Sequence, residues 1–496
     1  MLPSLVHSAI FPSLHTRKRL QDVVRPKNRN MDKFLREVRR NFESPLQSGK
    51  LLAMSAALQE QFAVKLQASN ISMLPTFTHT LPAGDERGTF LALDVGGSTF
   101  RVAVVVLKGI SPGEKPMQIT KMRSFKIDES IRVLEGTQFF DWMAGRIEET
   151  LADAELKSHA MSTLSMGLSW SFPINQLSGR NGLLLEMGKG FCATVGCQER
   201  DISELIMDAC HKRNLNVRVG AIINDGVASL LSCAYENSAT RMAVILGTGT
   251  NAAIHLPVST LAHSKFGRRE QSWYDNATHV VVNTEYSMFG KNILHTTRWD
   301  EYLNLTHRQP DFQPFEHLLG GRYLGEIVRL VMLEAINDAG LFGGEMPEKF
   351  SEPYSLDTGI LAIFQADDTP LLSKSSAAFY SQHPLSTPPS YADLLFIRQV
   401  AQVVSRRAAA YLAVGIHSLW QLRLVAEGLT AASNGHMTIG CNGSVIEKYP
   451  GFRQQCQAYL DDLTALSGAD PHSVVLEIAD EAAIFGAAVA ASVPDA

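Results

Sequence analysis

Residues 217–226 read VRVGAIINDG, and the helix-like VASLLSCAY follows at 227–235. The β-branched, apolar run predicts a buried strand that stops at Asn224 and Asp225. In an α/β fold, a carboxylate at a strand end, with the next helix beginning behind it, faces the crevice where ligands bind. Asp225 is therefore the leading candidate for a general base that takes a proton from a substrate hydroxyl.

Two other stretches carry a related pattern. LALDVGGSTFRVAVV at 91–105 and MAVILGTGTNAAIHL at 242–256 each read as an apolar strand, a turn of small polar residues and a second apolar strand. Glycine lets a backbone approach a ligand closely, and turn amides and hydroxyls donate to phosphate oxygens. The first turn offers Gly96, Gly97, Ser98 and Thr99; the second offers Gly247, Thr248, Gly249 and Thr250, followed by Asn251. Asp94 could hold Mg²⁺ through water, because hard cations prefer oxygen ligands, and Arg101 could brace that carboxylate or reach a phosphate. Gly-Gly also occurs in plain hairpin turns, so the first motif alone does not decide between turn chemistry and binding. The second is denser in donors than a simple turn requires. Two phosphate-type hairpins and one carboxylate point to phosphoryl transfer, and their shared layout suggests two similar lobes facing one cleft.

Length and composition set the bounds. A chain of 496 residues exceeds what one core usually holds. Hydrophobic residues make up 45% and charged residues 19%, which excludes wholesale disorder. The first 40 residues hold ten of the 45 Lys/Arg and three of the 50 Asp/Glu, leaving the remainder at −12 where the whole chain is −5. So acidic a body is a poor nucleic-acid binder. The six cysteines show neither C-x-x-C nor zinc spacing and read as reduced thiols of an intracellular, cytoplasmic protein. No apolar run approaches the roughly 20 residues needed to span a bilayer.

Five segments are expected. Residues 1–30 form a basic flexible extension, 31–90 the helical N-terminal part of a large lobe, and 91–223 a small α/β lobe. Residues 224–479 complete the large α/β lobe, and 480–496 form a C-terminal helix packing on the small lobe. Helical spacing recurs at 137–158, 199–213, 323–336 and 398–420, while the Pro/Ser-rich 381–392 reads as a surface loop. MLPSLVHSAIFPSL ahead of TRKRL resembles an organelle-targeting or membrane-surface segment, which would place the protein at mitochondria. A disordered basic tail explains it equally well, and a nuclear address from TRKRL less well.

Other catalytic motifs fail. GLLLEMGKG at 182–190 has five residues, not four, before Gly188-Lys189, and Gly190 where a Walker A loop needs Ser or Thr. GLSWS at 167–171 lacks the final glycine of a nucleophile elbow, and no H-E-x-x-H occurs. Glu285 and Glu316 lie beside glycine-rich sequence, yet isolated glutamates are usually solvated surface residues.

In order, LALDVGGSTFRV, SWSFPINQ, MGKGF, INDG, GTGTN, NTEYSMFG, QPFEHLLGGRYLGEIVRLVML and NGSVIEKYPGF resemble the successive motifs of the eukaryotic hexokinase family, from about residue 40 to 490. The resemblance implies a two-lobed actin-like ATPase (ribonuclease H-like) fold with an interlobe cleft. It also implies ATP- and Mg²⁺-dependent phosphorylation of a hexose at its 6-hydroxyl, feeding carbohydrate metabolism. By the same resemblance Asp225 would be the base, and Lys189 a second catalytic residue. Asn224, Asn251, Glu285 and Glu316 would bind the sugar, with Ser171 and Lys189 contributed by the small lobe. Gly96 to Thr99 and Gly247 to Thr250 would hold phosphates, and Gly443 and Ser444 would lie near the adenosine.

The chain departs from common glucose-phosphorylating members. Met187-Gly188-Lys189-Gly190-Phe191 stands where they have Trp-Thr-Lys-Gly-Phe, and Gly226 where Thr follows the catalytic Asp. Asn442 replaces an Asp before Gly443-Ser444, and Glu481-Ala482-Ala483 replaces an Asp-Gly-Ser of the adenine site. In these features the chain resembles fungal N-acetylglucosamine kinases of the family, which share the Ser-Thr after Gly-Gly (Ser98-Thr99), Trp-Ser-Phe-Pro (170–173) and a small residue before Lys-Gly (Gly188); a bulkier 2-substituent needs room, and a Thr-to-Gly change is one way to provide it. N-acetylglucosamine is the narrow expectation, and glucose or another hexose the runner-up. The altered adenine-site motif also fits a different class, a catalytically weak sugar sensor.

Overall fold

The computed structural model describes residues 30–152, 163–188, 190–433 and 436–493. Its strands are β1 (Leu74–Pro75), β2 (Arg87–Val95), β3 (Thr99–Lys108), β4 (Met117–Lys126), β5 (Leu164–Trp170), β6 (Ile174–Gln176), β7 (Gly182–Leu184), β8 (Val217–Ile223), β9 (Thr240–Leu246), β10 (Thr250–Pro257), β11 (His279–Asn283), β12 (Met437–Asn442) and β13 (Val474–Ile478).

These build two sheets of the same design. One has the order β4-β3-β2-β5-β8 and the other β11-β10-β9-β12-β13, with β1 added at the β11 edge. In each, two antiparallel pairings are followed by two parallel ones. Both glycine-turn hairpins occupy the same place in their sheets, as β2-β3 and β9-β10. The duplication expected from the two hairpins therefore extends to the whole sheet, and the fold is the two-lobed actin-like α/β architecture.

Two helices fill the space between the sheets. The helix Asp225–Glu236 leaves the end of β8 and packs on β9, β10 and β12 of the larger sheet. The helix Ala482–Ser492 lies against it and against β2, β5 and β8, so it touches both halves. Close approach explains its small residues. A Cβ on Gly167 of β5 would sit 1.8 Å from Ala487 O, and one on Gly486 2.0 Å from Ala228 O. An alanine-rich cluster including Ala92, Ala103, Ala243, Ala253 and Ala487 joins the inner faces.

Elsewhere each half has its own core. The larger one gathers Phe34, Phe42 and Phe62 with Trp299, Tyr411 and Trp420, so the helices Met31–Glu43 and Ser48–Ala68 share a core with the β9–β13 sheet. Tyr391–Glu427 is its central helix. A Ser390/Asp393 capping box starts it and Gly428, at φ +66°, ends it. Its actual length is 37 residues, well beyond the expected 398–420, because nearly every face is covered and amphipathic spacing marks only part of it. The small-lobe core centres on Phe139, Phe140, Met166 and Trp170.

Boundaries differ modestly from expectation. β2 begins at Arg87 rather than 91, and the helix expected over 199–213 spans Ile202–Lys212, with Asp201 as its cap. The helix expected over 137–158 runs Thr137–Leu151, and 153–158 lie outside the described residues. The 1–30 extension, apart from residue 30, lies outside them as well. No helix among the described residues is long and apolar enough to cross a membrane. All six cysteines are free thiols.

Candidate active site

Asp225 owes its position to its neighbour. Asn224 caps the helix by accepting from Val227 N at 2.8 Å, which turns the chain sharply from β8 into the helix and sets Asp225 as its first residue. The Asp225 carboxylate accepts the Gly226 amide at 2.8 Å. Burial pushes its carboxyl up to about 6; Glu285 adds to the rise, the Gly226 amide opposes it, and Asp94 adds again. Charges from β2 and from the segment after β11 thus act on a single side chain in the cleft.

Glu285 follows β11 in a left-handed conformation, φ +47°, which is costly for a residue with a side chain and clusters at functional sites. Its Oε1 accepts from Asn283 Nδ2 at 2.8 Å and Asn251 Nδ2 at 3.4 Å. Asn251 also donates to Asn283 Oδ1 at 2.9 Å. Burial raises the Glu285 carboxyl, and the two amides oppose the rise. Asn283 is a member of the site that sequence reading missed, although VVVN repeats the signal of an apolar strand ending in a polar residue.

Glu316, on the short helix Pro314–Leu319, accepts Thr250 N at 3.0 Å. It lies so close to the second turn that a Cβ on Gly249 would meet Glu316 Oε2 at 2.4 Å. Two further backbones press on the same turn. Gly321 N and Arg322 N donate to Gly247 O and Thr248 O at 2.8 and 3.1 Å, and Gly443, at φ +119°, would drive a Cβ to within 2.5 Å of Leu246. Gly443 and Ser444 are thereby seated beside Gly247.

Each hairpin turn is closed by the amide of its first glycine, to a carbonyl three residues on in the first turn and two residues on in the second. Gly96 N donates to Thr99 O at 3.0 Å in one, and Gly247 N to Gly249 O at 2.9 Å in the other. Among the described residues, the amides of Gly97 and Ser98, and of Thr248 and Gly249, have no backbone partner, leaving paired donors at each turn. Thr250 is a correction. Its hydroxyl is buried, donates to Ile245 O at 2.8 Å and pairs with Tyr286 OH at 2.5 Å, while its amide goes to Glu316. It braces the turn and has no donor left for a phosphate. Thr99 begins β3 and contributes its carbonyl to turn closure.

Arg101 braces Asp94, with Nε at 2.9 Å and Nη2 at 2.8 Å, both on Oδ2. Its Nη1 reaches Glu481 Oε2 at 2.5 Å, so the departure at 481 forms a three-membered ionic chain. Burial raises the Asp94 carboxyl; Arg101 and Ser169, its neighbour on β5, pull it down, and Glu481 pushes it up. Ser171 follows β5, its amide bound to Val95 O at 3.2 Å. Lys189 lies outside the described residues. Its neighbours Gly188 and Gly190 take φ +65° and +82°, and Phe191 anchors the loop against Phe172 at 4.9 Å between ring centroids.

These residues suit a nucleotide and a hard cation. The paired amides and the glycine cradle at 247–249 fit phosphates. Asp94 offers Oδ1, free of Arg101, to a hydrated Mg²⁺, and among the described residues no cluster of His, Cys, Asp and Glu forms a complete metal cage. Mg²⁺ usually takes one or two carboxylates plus substrate phosphates, so such a sparse site is adequate.

Known proteins resemble this chain over most of its length. Two family models, both described as hexokinase, match residues 35–235 and 241–493. Hexokinase-1 of Spinacia oleracea is 30% identical over 467 residues, covering 92% of this chain and 90% of its own. Hexokinase-1 of Saccharomyces cerevisiae is 29% identical over 434 residues, covering 86% and 85%. A structure of the hexokinase from Schistosoma mansoni complexed with glucose, 26% identical, aligns with a TM-score of 0.74 over 94% of this chain and 100% of that one. With both hairpin turns, the strand-end carboxylate and the duplicated sheets accounted for, the chain belongs to the hexokinase family, phosphotransferases with an alcohol group as acceptor.

Proposed function

We propose that this chain transfers the terminal phosphoryl group of ATP to the 6-hydroxyl of a hexose, with N-acetylglucosamine as the preferred acceptor. The observation that carries the reading is Asp225, held at a helix start with its carboxyl near 6, where it is ionised at neutral pH yet basic enough to take an alcohol proton. When bound, Mg²⁺·ATP supplies the phosphoryl group and neutralises its charge. Asp225 then orients the sugar hydroxyl and accepts its proton. Asn224 keeps its side-chain NH₂ for the sugar, since only its oxygen caps the helix. Glu285 keeps Oε2, its Oε1 being held by Asn283 and Asn251. The amides of Gly97, Ser98, Thr248 and Gly249 position phosphates, Asp94 orients the cation through water, and Gly443 and Ser444 flank the nucleotide. Closing the two halves on the sugar would exclude water from competing with it.

The choice of N-acetylglucosamine rests on Gly188. It is exposed, a Cβ built there would meet nothing within 4 Å, and a sugar 2-substituent facing it would find room. Purified protein given ATP, Mg²⁺ and glucose, fructose, mannose, glucosamine or N-acetylglucosamine should turn over N-acetylglucosamine with the highest kcat/KM. A Gly188→Thr variant should move the preference toward glucose. No turnover of any of the five would refute the reading.

A second reading, a weak kinase that senses sugar, is favoured by Glu481, whose carboxylate occupies Arg101 beside Asp94. Calorimetry showing sugar binding without nucleotide binding would support it. For residues 1–30 we propose peripheral attachment to mitochondria of an otherwise cytoplasmic protein. Unchanged distribution of a fluorescent fusion lacking them would remove that role.

A further inference from the structure

A second polar cavity lies away from the cleft, at the opposite end of the β9-β10-β11 sheet. It measures about 440 Å³, within the range of small-molecule pockets. Ser238, Arg241, His255, His279, Arg423 and Glu427 supply its polar wall. Arg241 stands at the start of β9, whereas the Gly247 turn closes the other end of that strand. Ser238 lies just beyond the helix that begins with Asp225. Twelve residues at 1.5 Å each put the cavity roughly 18 Å from the catalytic carboxylate.

The cationic groups are held, not floppy. Arg241 is fixed by Nη1 on Ser238 O at 2.6 Å and Thr240 O at 2.8 Å. Its Nε and Nη2 have no partner among the described residues. Arg423 is clamped to Glu427 by two bonds, 2.8 and 2.7 Å. His255 binds His79 O through Nε2 at 3.1 Å and stacks on His279 with centroids 5.0 Å apart. Two guanidinium groups thus face one carboxylate and two imidazoles. Burial, and next the charge of Arg423, make Arg241 less willing to hold its proton, with Glu427 opposing them. Arginine stays charged despite this, so among the described residues that line it the cavity carries one more guanidinium than carboxylate.

We infer that this cavity binds the phosphate group of a small phosphate-bearing molecule, with Arg241 as the principal fork and Arg423 and His279 beside it. A planar guanidinium with free nitrogens matches two oxygens of such an oxyanion, and the anion relieves repulsion between the arginines. The volume has room for an organic portion against Leu81 and Pro82, which lie in the connection from β1 to β2.

The test is calorimetric titration of the full chain at fixed ionic strength with inorganic phosphate and, separately, glycerol 3-phosphate. Arg241→Gln removes the fork. Ser238→Asp, at an exposed rim position, adds a repelling charge without removing a buried contact, and so covers the case in which Arg241→Gln fails to fold. A Ser98→Ala/Thr248→Ala variant controls for anions at the cleft turns. The expected result is binding that weakens at least tenfold in both cavity variants and persists in the cleft variant. Tighter binding of the ester identifies an organic phosphate as the occupant, and tighter binding of the bare ion identifies free phosphate. Absence of binding to the parent chain, parent-like binding in both cavity variants, or loss confined to the cleft variant would overturn the assignment.

Discussion

Replacing Asp225 with Asn should cut catalysis severely and stabilise the protein, and the stabilisation should grow with pH. The Asn keeps size and shape, and its oxygen can still accept the Gly226 amide. The Asp225 carboxyl moves from 3.8 to about 6 because burial and the Glu285 charge disfavour its ionised form. A rise of about 2 units corresponds to about 3 kcal/mol. The folded state binds this proton more tightly than the unfolded chain does. Stability contributed by the acid is therefore complete below pH 3.8 and is lost as pH climbs through 6. A neutral Asn removes that loss, with a calculated gain of about 1.5 kcal/mol at pH 5 and about 3 kcal/mol at pH 8. Asp225 is only part-buried, so solvent in the cleft should reduce both to about half. Proton abstraction contributes about 10²- to 10⁴-fold, so kcat should fall by that factor while sugar binding survives. Coupled-assay kinetics and thermal midpoints at pH 5, 6.5 and 8 would check both effects. A kcat near that of the parent chain, or a midpoint difference that does not increase from pH 5 to 8, would refute the placement of Asp225.

Gly249→Ala should lower kcat/KM for sugar about 5- to 150-fold, because its Cβ would displace Glu316 from the Thr250 amide, a loss worth about 1–3 kcal/mol; steady-state kinetics would show it. Arg101→Ala leaves burial of Asp94 uncompensated, so its carboxyl should hold a proton to higher pH and the acid limb of Mg²⁺-dependent activity should move upward. In the core, burial would raise Asp300, yet the Arg407 guanidinium, bonded to it at 2.5 and 2.8 Å, keeps it low. Arg407→Ala strands that charge and should cost about 3–5 kcal/mol, read from denaturant unfolding, without altering the KM of either substrate in the folded fraction.

Much of the site was readable because it sits where period-two strands stop. INDG announced Asp225 and its cap, and both glycine turns appeared as breaks between apolar runs. The same rule applied to VVVN would have found Asn283. Thr250 was misjudged for a different reason. Its hydroxyl looked like one donor among several, but strand alternation turns it inward to Ile245 O and Tyr286. Only sheet register decides which side of a turn residue faces solvent. Glu285 and Glu316, which the residue pattern alone leaves as surface glutamates and only the family resemblance singles out, are brought to the candidate site when the chain after β11 and the helix at 314 return to the β9-β10 turn.

Sequence by itself determined what depends on neighbours along the chain: strands and helices, their caps, the glycine turns and a carboxylate at a strand end. Tertiary structure alone decided the identical order of the two sheets, the Asp94-Arg101-Glu481 chain and the convergence of carboxylates on Asp225. Hydrogen bonds within a strand or helix follow local residue order. The burial and neighbouring charges that tune an acid come from segments well separated in the chain, such as Asp94 and Glu285 around Asp225, and only folding brings them within electrostatic reach.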